Sequence, residues 1–389
     1  MIIDRAILGG LNRSESVRQR DLPAEVVGDY VIAPALYMQS SYHEVFRCLL
    51  EGVQSLDRAS TIKVAGKSGI SQARTRLGWE AVRALHDDVV KPIANKTTKG
   101  PWYGAWRLVS LDGSTLDVAD EMVKEAAFGR PGASRERSAF PQIRFVPLVE
   151  NGTHEITLAK TVVAGLDKDM LCRADRAFFG FAPWTQPQEN GADLLWRIGK
   201  NLQLSPDKRL ADSSYLSRIY SSQRDFRHKT NGVVVRIIDY ALDGLADAEP
   251  VYRLATTILD PEQAPAHELA AVYHERWEIE TAFDKLKTHL RGARIVLRSK
   301  TPDLVRQEFY GLLTAHFAIR SLIHEAALKV DEAPDRLSVI HAVRVIRRKI
   351  QTPASFSPSA AHDALLAEIL DERLPPRRER RNPRGVKRK

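Results

Sequence analysis

The sequence lacks what small stapled or metal-knotted domains are built from. Its 389 residues contain two cysteines, Cys48 and Cys172, too few for a disulfide framework and too distant for a zinc-binding pair, so free thiols in a reducing cytoplasm are expected. With 22 glycines and 20 prolines it is neither collagen-like nor of low complexity. Long hydrophobic runs are missing too. The most apolar stretch, Phe309 to Ile319, is interrupted by His316 and followed by Arg320, well short of the roughly 18 uncharged residues a membrane span needs; it is expected to be a core helix. Residues 1–11 already carry Asp4 and Arg5, so neither export nor membrane association is expected.

What is present is an ordinary globular composition, 43% hydrophobic and 28% charged, at a length that allows two or three units of roughly 150 residues. The formal charge of +9 suggests an anionic partner, and it is unevenly placed. Residues 373–389 hold Arg373, Arg377, Arg378, Arg380, Arg381, Arg384, Lys387, Arg388 and Lys389 against Glu379 alone, so the rest of the chain is nearly neutral. Such a tail can contact phosphates through counterion release without being ordered. A solvated, disordered end accounts for the same residues, and 351–389 is expected to be a basic tail of this kind.

Periodicity divides the remainder. Residues 1–100 read as an N-terminal helical domain. One helix carries Val26, Val27, Tyr30, Val31 and Leu36, a second from about Ser41 carries Val45, Leu49, Val53 and Leu56, and a third from Ser68 is closed by Gly78. The third places Ile70, Ala73 and Leu77 inward and Arg74 and Arg76 outward, resembling a helix-turn-helix that contacts DNA, although most such triplets are only packed helices. Residues 101–181 read as α/β, with strands at Trp106–Val118, Ile143–Val149 and Met170–Ala174. The loop Phe128–Pro141 with Arg130, Arg135 and Arg137 separates the first two strands. Between them and the third strand, Glu155–Leu166 has helical spacing. Residues 182–260 are β-rich, and 261–350 carry three helices, at His267–Leu290, Pro302–Lys329 and Arg336–Ile350.

Two carboxylates end apolar strands. Asp112 lies in Leu-Val-Ser-Leu-Asp-Gly-Ser-Thr and Asp175 in Met-Leu-Cys-Arg-Ala-Asp-Arg. A buried carboxylate needs a compensating metal ion or arginine; an aspartate that merely caps a turn is the commoner use. More specific is the helix Tyr273-His-Glu-Arg276-Trp-Glu-Ile-Glu280-Thr-Ala-Phe-Asp-Lys-Leu-Lys287. At about 100° per residue, Tyr273, Arg276, Glu280 and Lys287 fall on one face, one carboxylate aligned with two cations and a phenol. A salt-bridged surface stripe would explain the charges but not the tyrosine or the register.

That spacing resembles the signature of bacterial insertion-sequence transposases of the fourth insertion-sequence family, in the Asp-Asp-Glu superfamily. Phe128-Gly-Arg-Pro-Gly, Glu150-Asn-Gly-Thr-His and Leu297-Arg-Ser-Lys-Thr-Pro-Asp-Leu also look like this family, over about Leu22 to Ile350. The resemblance implies a ribonuclease-H-like (retroviral-integrase-like) α/β core with a β-rich insertion. It implies that Asp112, Asp175 and Glu280 hold two Mg²⁺ or Mn²⁺ ions for DNA cleavage and strand transfer, hard oxygen ligands suiting such ions. It further implies that Tyr273, Arg276 and Lys287 contact DNA phosphates, that terminal inverted repeats and target DNA are the partners of a dimer assembled on DNA, and that the protein works at the bacterial nucleoid. Trp184 and Trp196 are the candidates for stacking on a flipped base, set against the commoner role of core tryptophan.

In one place the sequence departs from that pattern. A ribonuclease-H-like core has three antiparallel strands before its first helix, whereas His154 here runs directly into a helical pattern. Either the third strand is deleted, leaving a DNA-binding relic, or Glu155–Val163 forms that strand and the helix is lost. A general two-metal nuclease is the remaining alternative.

Overall fold

The computed structural model describes residues 24–38, 40–56, 67–132, 138–154, 156–158, 165–199, 202–241, 251–291, 296–351 and 358–375. Helices α1 (Ala24–Ile32), α2 (Tyr42–Leu56) and α3 (Lys67–Val89) come first. They are followed by strands β1 (Trp102–Tyr103), β2 (Trp106–Leu111) and β3 (Ser114–Asp117), helix α4 (Met122–Phe128), and strands β4 (Gln142–Phe145), β5 (Pro147–Glu150), β6 (Ile156–Leu158) and β7 (Met170–Ala174). Helix α5 (Phe181–Glu189) leads to β8 (Asp193–Arg197), β9 (Lys208–Arg209), β10 (Tyr215–Ile219), helix α6 (Gln223–His228), β11 (Val233–Tyr240) and β12 (Tyr252–Thr256). Helices α7 (Ala266–His274), α8 (Glu278–Asp284), α9 (Pro302–Lys329), α10 (Val339–Gln351) and α11 (Pro358–Ile369) complete the order. Among the described residues no helix is long and apolar enough to cross a membrane.

The strands form one mixed sheet in the order β6-β5-β2-β7-β8-β12-β11-β10-β9, with β1 beside the start of β2. Its first five members make the ribonuclease-H-like core: β6, β5 and β2 run antiparallel, and β2, β7 and β8 run parallel. The third antiparallel strand is therefore present. Ile156, Thr157 and Leu158 pair with Val149, Leu148 and Pro147, which corrects the expectation of a helix starting at Glu155. Three β-compatible residues beside an open sheet edge gain more from pairing than from their helical spacing. Residues 159–164 lie outside the described residues.

The β-rich stretch does not fold apart from this core. Strand β12 pairs with β8, and β11 and β10 extend the same sheet. Two further expectations shift as well. The run read as Trp106–Val118 breaks at Asp112-Gly113, and that read as Ile143–Val149 breaks at Val146; the second half of the first, β3, and the first half of the second, β4, pair as a separate ribbon.

Period-two alternation gives the sheet two apolar faces. Leu108, Leu171, Leu195 and Leu254 pack with Leu269, Val272 and Tyr273 of α7 on one face. The residues next to them, Val109, Cys172 and Trp196, pack with Trp184 of α5 on the other. Both cysteines are buried and outside any disulfide, and burial pushes the Cys172 thiol up to about 12.

Among the described residues the N-terminal helices have no core of their own. Val27, Val31, Phe46, Ile70 and Leu85 share one hydrophobic cluster with Phe309, Leu312, Ile319 and Ile323 of α9 and Val343 and Ile346 of α10. Contact is close enough that a Cβ on Gly311 would collide with the carbonyl of Val31. Gly78 does not end α3 but kinks it, at φ 74° and ψ 163°. The fully buried Gln307 satisfies the freed backbone there, donating to the carbonyls of Arg74 and Gly78. The expectation of a disordered tail from 351 onward is corrected among the described residues, because residues 358–369 form α11 with Leu366 and Ile369 buried. Arg373 then bridges to Leu337, and residues 376–389 lie outside the described residues.

His316 of α9 is buried near the charges of Arg320 and Lys285, and burial, reinforced by those cations, lowers its pKa to about 3. An unfolded histidine takes up a proton near 6.5, whereas this one remains neutral, so stability falls as pH drops from about 6.5 toward about 3. At pH 5 this residue alone is expected to cost about 2 kcal/mol relative to pH 7. Urea unfolding of wild type and His316→Leu at both pH values should show a smaller acid loss in the variant; equal losses would refute the assignment.

Candidate active site

Parallel strands β2 and β7 are paired so that Leu111 lies opposite Ala174. The residue following each is an aspartate, so Asp112 and Asp175 emerge side by side at the carboxyl ends of neighbouring strands. Each gives one carboxylate oxygen to the next backbone N–H: Asp112 Oδ1 accepts from Gly113 at 2.8 Å, and Asp175 Oδ1 accepts from Arg176 at 2.7 Å, capping the short turn Arg176–Phe178. The turn-capping use and the paired arrangement thus coexist in the same residues. Asp112 has a raised pKa, first because burial penalises its charge; Asp175 adds to the rise, while the Gly113 N–H, Arg276 and Lys287 oppose it.

The helical stripe lies over this pair. From His274 to Arg291 the chain stays helical but changes pitch, with a 3₁₀ turn at Glu275–Trp277, α8, and a π segment at Lys285–Leu290, a feature common at functional sites. Arg276 Nη1 stands 3.8 Å from Asp112 Oδ2, and its guanidinium carbon lies 5.8 Å from the Tyr273 ring centroid. Tyr273 is buried and its hydroxyl donates to the Ala174 carbonyl at 3.3 Å, directly before Asp175. It ties helix to strand end, and burial pushes its phenol up to about 12. Lys287 is half-buried with Nζ 5.4 Å from the Phe283 ring centroid. Burial and Arg291 lower its pKa, against the pull of Asp117 and Asp112. Glu280 is half-buried between these two cations in sequence, flanked by the core residues Ile279 and Ala282.

Three carboxylates without a thiol among them suit a hard cation such as magnesium or manganese. The burial of the Asp112 charge, to which the neighbouring Asp175 adds, is what such an ion relieves. The donor chemistry fits, but the arrangement is open. Among the described residues no three His, Cys, Asp or Glu side chains converge closely enough to hold one ion together, and the positive charge facing Asp112 is that of Arg276.

Sequence comparison meets this geometry with two family profiles, "Transposase DDE domain" over residues 140–318 and "Insertion element 4 transposase N-terminal" over residues 2–87. A curated relative, "Transposase InsG for insertion sequence element IS4" of Escherichia coli (strain K12), is 26% identical over 396 residues, covering 96% of this chain and 87% of the relative. The chain belongs to the insertion element 4 family of DDE transposases. Among solved structures, a piggyBac transposase synaptic complex with hairpin DNA has a TM-score of 0.46 and 11% identity, covering 96% of this chain and 83% of that chain.

Other expected contact residues of this transposase fare differently. Arg74 is not outward: it is 6% exposed, its Nε donating to Gln307 Oε1 at 2.8 Å and its Nη2 to Ser299 Oγ and the Leu304 carbonyl, both at 3.1 Å. It joins α3 to α9 and has no face for DNA. Arg76 is exposed. The connection between α2 and α3, residues 57–66, lies outside the described residues, so the turn of the expected helix-turn-helix does too. Trp184 and Trp196 are both fully buried and meet edge to face at 5.5 Å. They fill the sheet core, and a base could reach neither without opening it.

Several residues that hold the site were not singled out from the sequence. Arg173, fully buried in β7 two positions before Asp175, donates to the Val272 carbonyl at 2.7 Å, to Ser110 Oγ at 2.9 Å and to Asn151 Oδ1. Burial lowers its pKa to about 10, with Glu278 and Glu275 opposing. The turn Asn151–His154 then grips the helix bearing Glu280: Gly152 N–H donates to Glu278 Oε2 at 3.0 Å, and Lys285 Nζ lies 2.8 Å from His154 Nδ1. At the far end, Arg236 pairs with Asp212, and Asp212 accepts from the Ala266 N–H at 2.9 Å, fixing the start of α7 to the β-rich extension. The available signal was the arginine inside the otherwise apolar strand Met-Leu-Cys-Arg-Ala, which no amphipathic pattern explains.

Proposed function

We propose that this transposase cuts and joins DNA at the ends of its own insertion element, using Asp112, Asp175 and Glu280 as ligands for two divalent ions. The observation that carries the reading is the in-register end of β2 and β7, which sets the two aspartates together while Arg276 and Lys287 of the overlying helix both bear on Asp112. Magnesium or manganese held there would supply Lewis acidity at a scissile phosphate and an acidified water or 3′-hydroxyl. The chain's own part is to bind and orient. Arg276 and Lys287 are suited to phosphates flanking the cut. Tyr273, buried, serves this stripe by keeping the helix in register with β7 through the Ala174 carbonyl rather than by reaching a phosphate itself, and Arg76 offers an outer contact. The DNA partners would be the terminal inverted repeats and the target, engaged by a dimer.

The reading is tested with purified protein and a duplex carrying the element's terminal repeat, with cut strands resolved on a denaturing gel. Cleavage is expected with Mg²⁺ and none with EDTA. Glu280→Gln should slow it by more than about a hundredfold, beyond the roughly 10- to 100-fold cost of losing an outer-shell partner. Metal-dependent cutting that ignores Glu280→Gln would overturn the assignment. Cutting without preference for the terminal repeat would make the protein a general nuclease.

A further inference from the structure

A second site opens directly beyond Asp112. We infer that the groove between α3, α9 and the β3–β4 ribbon binds single-stranded DNA, taking unpaired nucleotides that pass the cleavage site at Gly113. This rests on the reading of the protein as a transposase that cuts strands at Asp112.

The groove has a volume of about 940 Å³ and is lined by Gly113, Ser114 and Thr115 on the catalytic side. A Cβ on Gly113 would meet nothing within 4 Å, so the passage is open where it leaves Asp112. Across from these residues, guanidinium groups alternate with aromatic rings. Trp79 of α3 stacks on Tyr310 of α9, with centroids 6.1 Å apart and planes at 14°. Arg306 lies 5.5 Å from the Trp79 ring and 5.3 Å from Phe128, and Arg83 lies 5.9 Å from Trp79. Arg144 of β4 lines the same groove and is exposed. Three arginines outnumber the one acid of the lining, Asp87, which pairs with Arg83 at 3.6 Å; Arg306 pairs with Asp303 at 2.7 Å.

Interleaved rings and cations are what a single strand requires, because every base offers a π-face and every linkage an anion. A duplex keeps its bases stacked on one another and would leave these rings unused. The volume is that of a small-molecule pocket, about 300–1,000 Å³, which admits a short run of one strand. A free anion would use the arginines but would give the apolar floor of Trp79 and Phe128 no purpose.

The test uses the full-length protein and a fluorescein-labelled ten-residue oligothymidylate, with anisotropy read at several salt concentrations. A blunt duplex of the terminal repeat serves as the control. Arg144→Ala and Trp79→Ala are each expected to weaken oligothymidylate binding about tenfold, to leave binding and cleavage of the blunt duplex within twofold, and in the arginine variant to reduce the salt slope by about 0.7. Trp79→Phe, which keeps a ring, guards against misfolding and should retain most of the affinity. Wild-type protein that does not bind oligothymidylate, or variants that bind it unchanged, would overturn the groove. Failure to cut the blunt duplex would instead overturn the reading beneath it, since that assay needs no unpaired strand.

Discussion

Asp112→Asn should abolish strand cleavage and at the same time leave the protein at pH 7 at least as stable as the wild type. The loss of activity is expected to be on the order of a thousandfold or more, since ion-assisted charge stabilisation contributes several kcal/mol and each 1.4 kcal/mol is tenfold. The stability effect has the opposite sign for a physical reason. Asp112 is held with a raised pKa, chiefly by burial and further by Asp175, against the Gly113 N–H, Arg276 and Lys287. A carboxyl whose folded pKa is raised binds more protons folded than unfolded, so its contribution is greatest below the unfolded value near 3.9 and is lost as pH climbs through the folded value. At pH 7 the native state therefore carries an unfavourable charge that asparagine does not have. Urea unfolding should show the gap between variant and wild type narrowing toward pH 4. A variant less stable than wild type at pH 7 would mean that the 3.8 Å contact with Arg276 outweighs burial and the neighbouring aspartate.

Arg173→Leu should be the most damaging single change to the fold, at about 3–5 kcal/mol, the cost of removing one member of a buried charged network. The lost side chain serves β2 through Ser110, the Asn151 turn, and α7 through the Val272 carbonyl. Leucine would leave these three acceptors unmatched in the core and deprive Glu278 of an opposing charge. Arg173→Lys should recover little, because one ammonium cannot reproduce a planar fork that meets three acceptors. With typical domains only about 5–15 kcal/mol stable, a large loss of soluble protein and a lowered urea midpoint are expected. Cleavage per folded molecule should fall too, since Arg173 holds the end of β7 under the helix that carries Glu280. A variant with wild-type unfolding would show that the network is dispensable.

The elements that carry the proposed site were more legible in the sequence than the packing around them. Asp112 and Asp175 stood out because each follows an apolar strand, and a strand's end is readable from alternation alone. Tyr273, Arg276, Glu280 and Lys287 stood out because helical spacing projects onto one face whatever the tertiary context. Burial was less readable. Arg74 lies at an outward-looking position of α3, but α9, more than two hundred positions later, covers it and supplies Gln307, and no local pattern announces a partner that remote. Trp184 and Trp196 offered rings without any indication of which side of the sheet they face. The break at Asp112-Gly113 was hidden because Ser114 and Leu116 continue the alternation after the backbone has left the sheet. Strand β6 was masked by helical spacing that edge pairing overrides, while α11 was overshadowed by the arginines that follow it.

The sharing of one core by α1–α3 and α9 bears on how the protein is made. During synthesis the first helices emerge with their apolar faces bare, and the surface that covers them is translated more than two hundred residues later. Until α9 has left the ribosome, the nascent chain cannot close its helical layer. The α3 wall of the groove beside Asp112 also remains without its α9 counterpart, so a prematurely terminated chain would carry both strand-end aspartates yet lack the support that assembles them into a working enzyme.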